Sequence, residues 1–149
     1  MTDSNDSQES LLALDRQVCF ALYSAQLAMS KVYRKLLREL DLTYPQYLVM
    51  LVLWEQDGQT VSGIGERLFL DSATLTPLLK RLEGANLLQR QRSRQDERQV
   101  TVALTEQGRE LRDKAEAVPE SVICATQCNP EELERLRDDL HSLRERLAS

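Results

Sequence analysis

This sequence predicts a mainly α-helical chain with one small β-wing and long helices at both ends. Three observations carry that prediction. Apolar residues step by three or four along both terminal stretches, the helical period. Between Leu68 and Gly108, a leucine-spaced helix is followed by two strand-like runs around a polar, arginine-rich turn, and then by a new helix start. Capping residues, Asn and Gly punctuate the boundaries between these pieces.

Residues 1–10 are polar and acidic and are expected to be a flexible tail, and 11–149 a single domain. Leu11, Leu14, Val18, Leu22, Ala25, Met29, Val32, Leu36 and Leu40 predict one amphipathic helix over 11–40. A helix of ~30 residues is about 45 Å long, more than one small core covers. Part of its stripe is therefore expected to face a second subunit. Asp41 to Pro45 ends it and opens a second helix, Pro45 to Gln56, apolar on nearly every side. Asp57-Gly58-Gln59-Thr60 reads as a turn, and Val61 to Phe69 as a short third helix.

Asp71 and Ser72 offer caps for the fourth helix, which Gly84 and Asn86 stop. Strands are expected over Leu87 to Arg92 and Gln99 to Leu104, separated by the turn Ser93 to Arg98. Thr105 caps a helix running to about Val118 that is perturbed at Pro119, with a continuation through Thr126 left open. Asn129-Pro130-Glu131-Glu132 is an N-terminal helix signal. The last helix, Glu131 to Leu147, keeps Leu133, Leu136, Leu140, Leu143 and Leu147 on one face. These leucine seams predict dimerisation helices over about 11–40 and 105–149 around a DNA-binding lobe over about 45–104. The competing reading is a seam packed within one chain. The third and fourth helices, joined through Leu70-Asp71 and followed by the hairpin, form a winged helix-turn-helix.

Composition limits the function. The chain of 149 residues, one domain with a proper core, carries 24 acidic and 19 basic residues, a net charge of −5. Between Ser72 and Arg98, however, six basic residues face three acidic ones, a local +3 that leaves −8 elsewhere. Phosphate responds to the local patch, and the acidic remainder disfavours indiscriminate binding to polyanions. No run of about 18 apolar residues spans a membrane. Met1 to Ser10 lacks a signal pattern, so a cytoplasmic location is expected. Three cysteines without CxxC or Cys/His spacing argue against a disulfide framework or a metal site, and no cofactor is expected. His141, the only histidine, reads as a solvated residue. No nucleophile–base pair is evident, so no enzyme is expected.

The DNA-facing candidates follow from the fold. Ser72, Ala73, Thr74 and Thr76 are small residues near the start of the recognition helix, able to meet base edges in the major groove. Lys80 and Arg81, a turn further on, suit phosphate or solvent. Arg94 and Arg98 in the wing suit a narrow minor groove, and Asp96 can orient Arg98 through a charge-assisted bond. An ordinary solvated hairpin is the competing reading. A dimer predicts a pseudo-palindromic double-stranded operator.

Asp96-Glu97-Arg98 followed by Leu104-Thr105 and Gly108 resembles the DxR…LT..G wing signature of the multiple-antibiotic-resistance regulator (MarR) family. The helix order matches too, and the likeness covers the chain from about Leu11. Three features resemble the organic-hydroperoxide regulator (OhrR) branch: Cys19, the run Leu42 to Met50, and the recognition stretch Asp71 to Leu82.

Taken alone, a cysteine such as Cys19, flanked by Val18 and Phe20, is more often inert filler than a sensor. Its surroundings change the balance. Tyr23, Tyr33, Tyr44 and Tyr47 all fall in the first two helices of a chain with seven aromatic residues. A phenol hydroxyl donating to a thiolate favours the charged form, which attacks a peroxide O–O bond to give sulfenic acid. Tyr33 lies fourteen residues from Cys19, about 21 Å along a continuous helix, so if they meet Tyr33 must come from a partner subunit. Tyr23, one turn away, can approach within one chain. The resemblance likewise implies that Tyr33 and Tyr44 bond the reactive thiol across the dimer. It also implies that a distal cysteine, matched by spacing to Cys124 with Cys128 as the second candidate, resolves the sulfenic acid as an intersubunit disulfide. The function expected is a homodimeric repressor derepressed by organic hydroperoxide. Two alternatives stay open: a repressor released by a small phenolic or acidic ligand, and a thiol peroxidase.

Overall fold

Gln17 decides where the first long helix begins. The computed structural model describes residues 11–148, and the tail expected over 1–10 lies outside the described residues. The single helix expected over 11–40 is divided. Leu14–Arg16 is a 3-10 turn, Gln17 is extended (φ −80°, ψ 117°), α1 spans Val18–Leu36, and Leu37–Leu40 is a second 3-10 turn. The Gln17 side-chain amide donates to the carbonyls of Leu11 and Ala13 and so competes with the helical ladder. Asp41, left-handed at φ 55°, closes the far end. The 19 residues of α1 span about 28 Å, not 45 Å.

Helix α2, Tyr44–Glu55, starts with a capping box. The Gln46 N–H donates to Thr43 Oγ1, the Thr43 N–H donates to Gln46 Oε1, and Pro45 sits in the first turn. Apolar on most sides, α2 buries Tyr47, Val49, Met50, Val52 and Leu53 and forms the centre of the fold. The stretch expected as a turn contains a strand, β1 (Gln59–Thr60). Asp57 Oδ1 accepts from the N–H groups of Gly58 and Leu104, both at 2.8 Å, which brings the two segments together. Helix α3 (Val61–Leu68) is capped by Thr60 and ends at left-handed Phe69. Helix α4 (Ser72–Gly84) is capped by Asp71, whose Oδ1 accepts from the Thr74 N–H at 2.8 Å. Asn86 (φ 62°), not Gly84, supplies the left-handed residue that turns the chain into the wing.

Strands β2 (Leu88–Arg92) and β3 (Val100–Leu104) pair antiparallel from Leu88↔Leu104 to Arg92↔Val100, and β1 pairs with the other side of β3. The order β1-β3-β2 makes β2 an edge strand. Thr105 caps α5 (Glu106–Ala115), and α6 covers Ala117–Thr126. The interruption falls at Glu116 rather than at Pro119, which sits in the first turn of α6. Proline there has no N–H to offer the Ala115 carbonyl, so the break lies one turn before it. Helix α7 runs from Pro130 to Ala148, its first turn held by Asn129 and Glu132.

The core lies among α2, α3, α4, the sheet and the start of α6, with Ile64, Leu75, Leu79, Leu82, Val102 and Val118 buried. Helices α1 and α7 bury no residue. Val18, Leu22 and Leu27 of α1, and Leu136, Leu140 and Leu147 of α7, stay exposed on the chain. Among the described residues, no helix is long and apolar enough to cross a membrane.

Candidate nucleic-acid interface and thiol site

Helix α4 is two-faced because Leu75, Leu79 and Leu82 are drawn into the core. That burial turns Ser72, Ala73, Thr74, Lys80 and Arg81 outward, while Thr76 is half-buried. Pro77 interrupts the ladder within the helix, and the Thr76 hydroxyl donates back to the Ser72 carbonyl at 2.7 Å. Its proton is thereby used inside the helix, leaving a methyl group and an acceptor for base edges.

The wing is a built structure. Arg94, Asp96 and Arg98 are all exposed at its tip. Asp96 Oδ1 accepts from the Arg98 main-chain N–H at 3.0 Å, and among the described residues no ion pair joins its carboxylate to the Arg98 guanidinium. It therefore shapes the tip by fixing backbone rather than by aiming the arginine head. Ser93 Oγ accepts from the N–H groups of Gln95 and Asp96, and Ser93 N–H donates to the Gln99 carbonyl. At the root, Thr105 Oγ1 donates to the Asn86 carbonyl and accepts from the Gly108 N–H. A Cβ at Gly108 would lie 2.1 Å from the Leu87 carbonyl oxygen, so this position admits only glycine without rearrangement. Trp54 Nε1 donates to the Gly108 carbonyl at 2.8 Å and ties the root to α2.

Two contacts escaped the sequence reading. Glu83, at the end of α4, binds Arg90 of β2 through both its main-chain N–H (2.9 Å) and its guanidinium (3.2 Å). The arginine beside it holds the Glu83 carboxyl below its ordinary range. Arg144 of α7 stacks 4.1 Å from the Phe69 ring centroid, touching the joint between the two helices of the helix-turn-helix. Each depends on residues brought together by tertiary folding, and neither leaves a local sequence signal.

Cys19 is the second residue of α1 and is exposed. Tyr23, one turn along, is also exposed. Tyr33, Tyr44 and Tyr47 form a separate cluster, with ring centroids 4.5 Å (Tyr33–Tyr44), 5.9 Å (Tyr33–Tyr47) and 6.4 Å (Tyr44–Tyr47) apart. Burial first, then the neighbouring phenols, push Tyr33 up to about 12, and burial raises Tyr44 and Tyr47 as well. All three are therefore hydrogen-bond donors at neutral pH. Helix α1 is unbroken between Cys19 and Tyr33, so one chain keeps them about 21 Å apart. Tyr47, nearly fully buried, is the ring that the sequence reading gave no role.

Cys124 is exposed on α6. Cys128 is not on the same helical turn: α6 ends at Thr126, Gln127 is left-handed, and Cys128 lies in the connection to α7. It is half-buried, its thiol donating to the Thr126 carbonyl at 3.5 Å. His141 is exposed on α7.

Residues 31–115 match the family model of the transcriptional regulators SarA/Rot. The chain is 52% identical over 135 residues to the regulator TtmR of Methylorubrum extorquens, covering 91% of this chain and 69% of that one. It is 45% identical over 136 residues to the organic hydroperoxide resistance transcriptional regulator of Bacillus subtilis, covering 91% and 92%. Among solved structures, reduced AbfR bound to DNA superposes with a TM-score of 0.77 at 34% identity over 95% of this chain and 99% of that one. The disulfide form of AbfR gives 0.65 at 40% identity, over 95% and 98%. With the helix-turn-helix, the glycine-closed wing and these relatives in place, the chain belongs to the SarA/Rot family of MarR-like winged-helix transcriptional regulators.

Proposed function

We propose that this protein is a homodimeric, redox-sensing repressor of the two-cysteine type, acting in the cytoplasm on a pseudo-palindromic double-stranded operator. Ser72, Ala73, Thr74 and Thr76 read the major groove, Lys80 and Arg81 meet phosphate, and Arg94 and Arg98 enter the minor groove. Organic hydroperoxide is the inducer. The Cys19 thiolate attacks the peroxide, the O–O bond breaks, an alcohol leaves once protonated, and Cys19 becomes a sulfenic acid. The Cys124 thiol of the partner subunit then attacks that sulfur, forming the disulfide and releasing water.

The observation that carries this reading is the pairing of an exposed first-turn thiol with a compact cluster of protonated phenols about 21 Å away on the same helix. Two antiparallel copies of α1 bring one chain's thiol to the other chain's phenols. The exposed apolar stripes of α1 and α7 supply surface for that pairing. Support also comes from the hydroperoxide regulator among the relatives, and from AbfR, a structural neighbour solved in reduced, disulfide and overoxidised forms. Intact-mass measurement of the protein before and after an equimolar organic hydroperoxide tests it. A covalent dimer lighter by the hydrogens of one disulfide per bond is expected; an unchanged monomer mass and unchanged DNA binding would remove the redox reading.

A second reading rests on a groove of about 320 Å³ between α2 and the α5–α6 junction, lined by Tyr47, Leu51, Trp54, Arg112 and Pro119. Its aromatic walls suit a small phenolic ligand that releases DNA by binding, and Glu55 and Glu116, which line it beside Arg112, disfavour an acid. The two readings separate on Cys19→Ser, which abolishes derepression only in the redox case.

A further inference from the structure

We infer that Glu83 is a positioning residue for DNA binding: it sets the pitch of the wing against the recognition helix by clamping Arg90, and so places the tip arginines. The inference rests on the proposed wing contact with the minor groove and adds to it the residue that aims the wing.

The geometry is specific. Glu83 is the penultimate residue of α4, and Arg90 is the central residue of β2, paired with Val102 of β3. Strand β2 is the outer strand of the sheet. The Arg90 N–H therefore points to an open edge, where it would otherwise have only water. Glu83 Oε2 accepts from it at 2.9 Å while Oε1 takes the guanidinium at 3.2 Å. One carboxylate thus caps the sheet edge and joins the wing to the reading helix. The backbone between the two residues turns at left-handed Asn86, so the clamp spans a bend.

The consequence for binding is one of leverage. Arg94 lies four residues beyond Arg90, roughly 13 Å of extended chain. A tilt of ~10° at Arg90 would displace the tip by ~2 Å, while a binding site has to be held to within ~0.5 Å. Both partners are partly exposed, 26% and 37% at the side chains, so the pair adds little to global stability. Its effect is on direction.

Simple electrostatics predicts the opposite sign, which makes the inference testable. Removing a carboxylate from a DNA-binding face should strengthen binding to any polyanion. If Glu83 positions the wing, its loss instead weakens selected DNA. The experiment compares parent, Glu83→Ala, Glu83→Gln, Arg98→Ala and the Glu83→Ala/Arg98→Ala double variant. Each is titrated against a duplex selected by the parent from a random pool and against an unselected duplex, at several salt concentrations, with thermal unfolding alongside. For Glu83→Ala we expect about a tenfold loss on the selected duplex, the scale of one lost arginine contact. Binding to unselected DNA should hold or rise, and the melting temperature should stay near the parent's. The double variant should lose less than the sum of the two single losses, because one of the two arginines that the clamp aims is already gone. Glu83→Gln keeps the shape and an acceptor and should lose less, which guards against misfolding as the cause. Tighter binding of Glu83→Ala to both duplexes, or additive losses in the double variant, would overturn the positioning role while leaving the wing contact standing. Unchanged binding by Arg98→Ala would retire the wing contact itself, and this inference with it.

Discussion

Tyr33 keeps its proton to a pH of about 12 because burial and two neighbouring phenols disfavour the phenolate. At neutral pH it is a donor, the form that can stabilise a thiolate. Tyr33→Phe should therefore slow Cys19 oxidation while leaving DNA binding by the reduced protein nearly intact. Stopped-flow oxidation over a pH series is the check; matching rates in mutant and parent would remove Tyr33 from the thiol's surroundings. The same phenol has a stability consequence. Its folded pKa is raised, so it favours the folded state while protonated: the contribution is complete below pH 10 and is lost as pH climbs towards about 12. Urea midpoints measured across that window should fall less steeply in Tyr33→Phe than in the parent. The sequence made Tyr33 and Tyr44 visible because tyrosines are few and fall in two helices. It placed Tyr47 beside them but not its packing against both rings, which depends on how α2 docks on α1. Glu83 was hidden, since seven residues and a left-handed bend separate it from Arg90.

The elements were legible wherever a local signal decides them. Thr43, Asp71, Thr105 and Asn129 each accept from an N–H three residues on, so the helix starts could be read from single residues. The wing was legible from two short runs around a polar turn. Strand β1 was not, because two residues gain strand geometry only by pairing with a segment more than forty positions away. Nor was the break at Gln17, where one side-chain amide outweighs a helical apolar pattern. The signature glycine marks the point where packing and sequence meet most tightly. Gly108→Ala would push a methyl group into the Leu87 carbonyl, forcing the wing root and the start of α5 apart. It should destabilise the fold by about 1–3 kcal/mol or more, visible as a lowered urea midpoint. Gly84→Ala, with nothing within 4 Å of the added atom, is the matched control. Equal midpoints for the two variants would show that the root yields freely.

At the scale of the whole molecule the chain leaves its terminal helices uncovered, and the proposed switch would act through them. The stripes on α1 and α7 were plain in the sequence, but spacing alone could not decide between the two distal cysteines. Their settings differ: Cys124 is exposed on α6, whereas Cys128 is half-buried past the helix end with its thiol already donating. A disulfide needs Cα atoms about 4.4–6.8 Å apart. Cys19 and Cys124 sit on different rigid helices. In the switch proposed above, closing a bond between one subunit's Cys19 and the other's Cys124 would move or unwind α6, and α6 is joined through α5 to the wing root at Thr105 and Gly108. On that proposal, strain at the thiol would reach the DNA-facing elements through a short run of packed structure. Cys124→Ser should still react at Cys19 but fail to crosslink, ending as sulfenic or higher acids, and should release operator DNA less completely after peroxide. Cys128→Ser should behave like the parent. Non-reducing gels of peroxide-treated protein decide it. A crosslinked dimer that persists in Cys124→Ser and disappears in Cys128→Ser would transfer the resolving role to Cys128, and would require the connection between α6 and α7 to open before the bond could form.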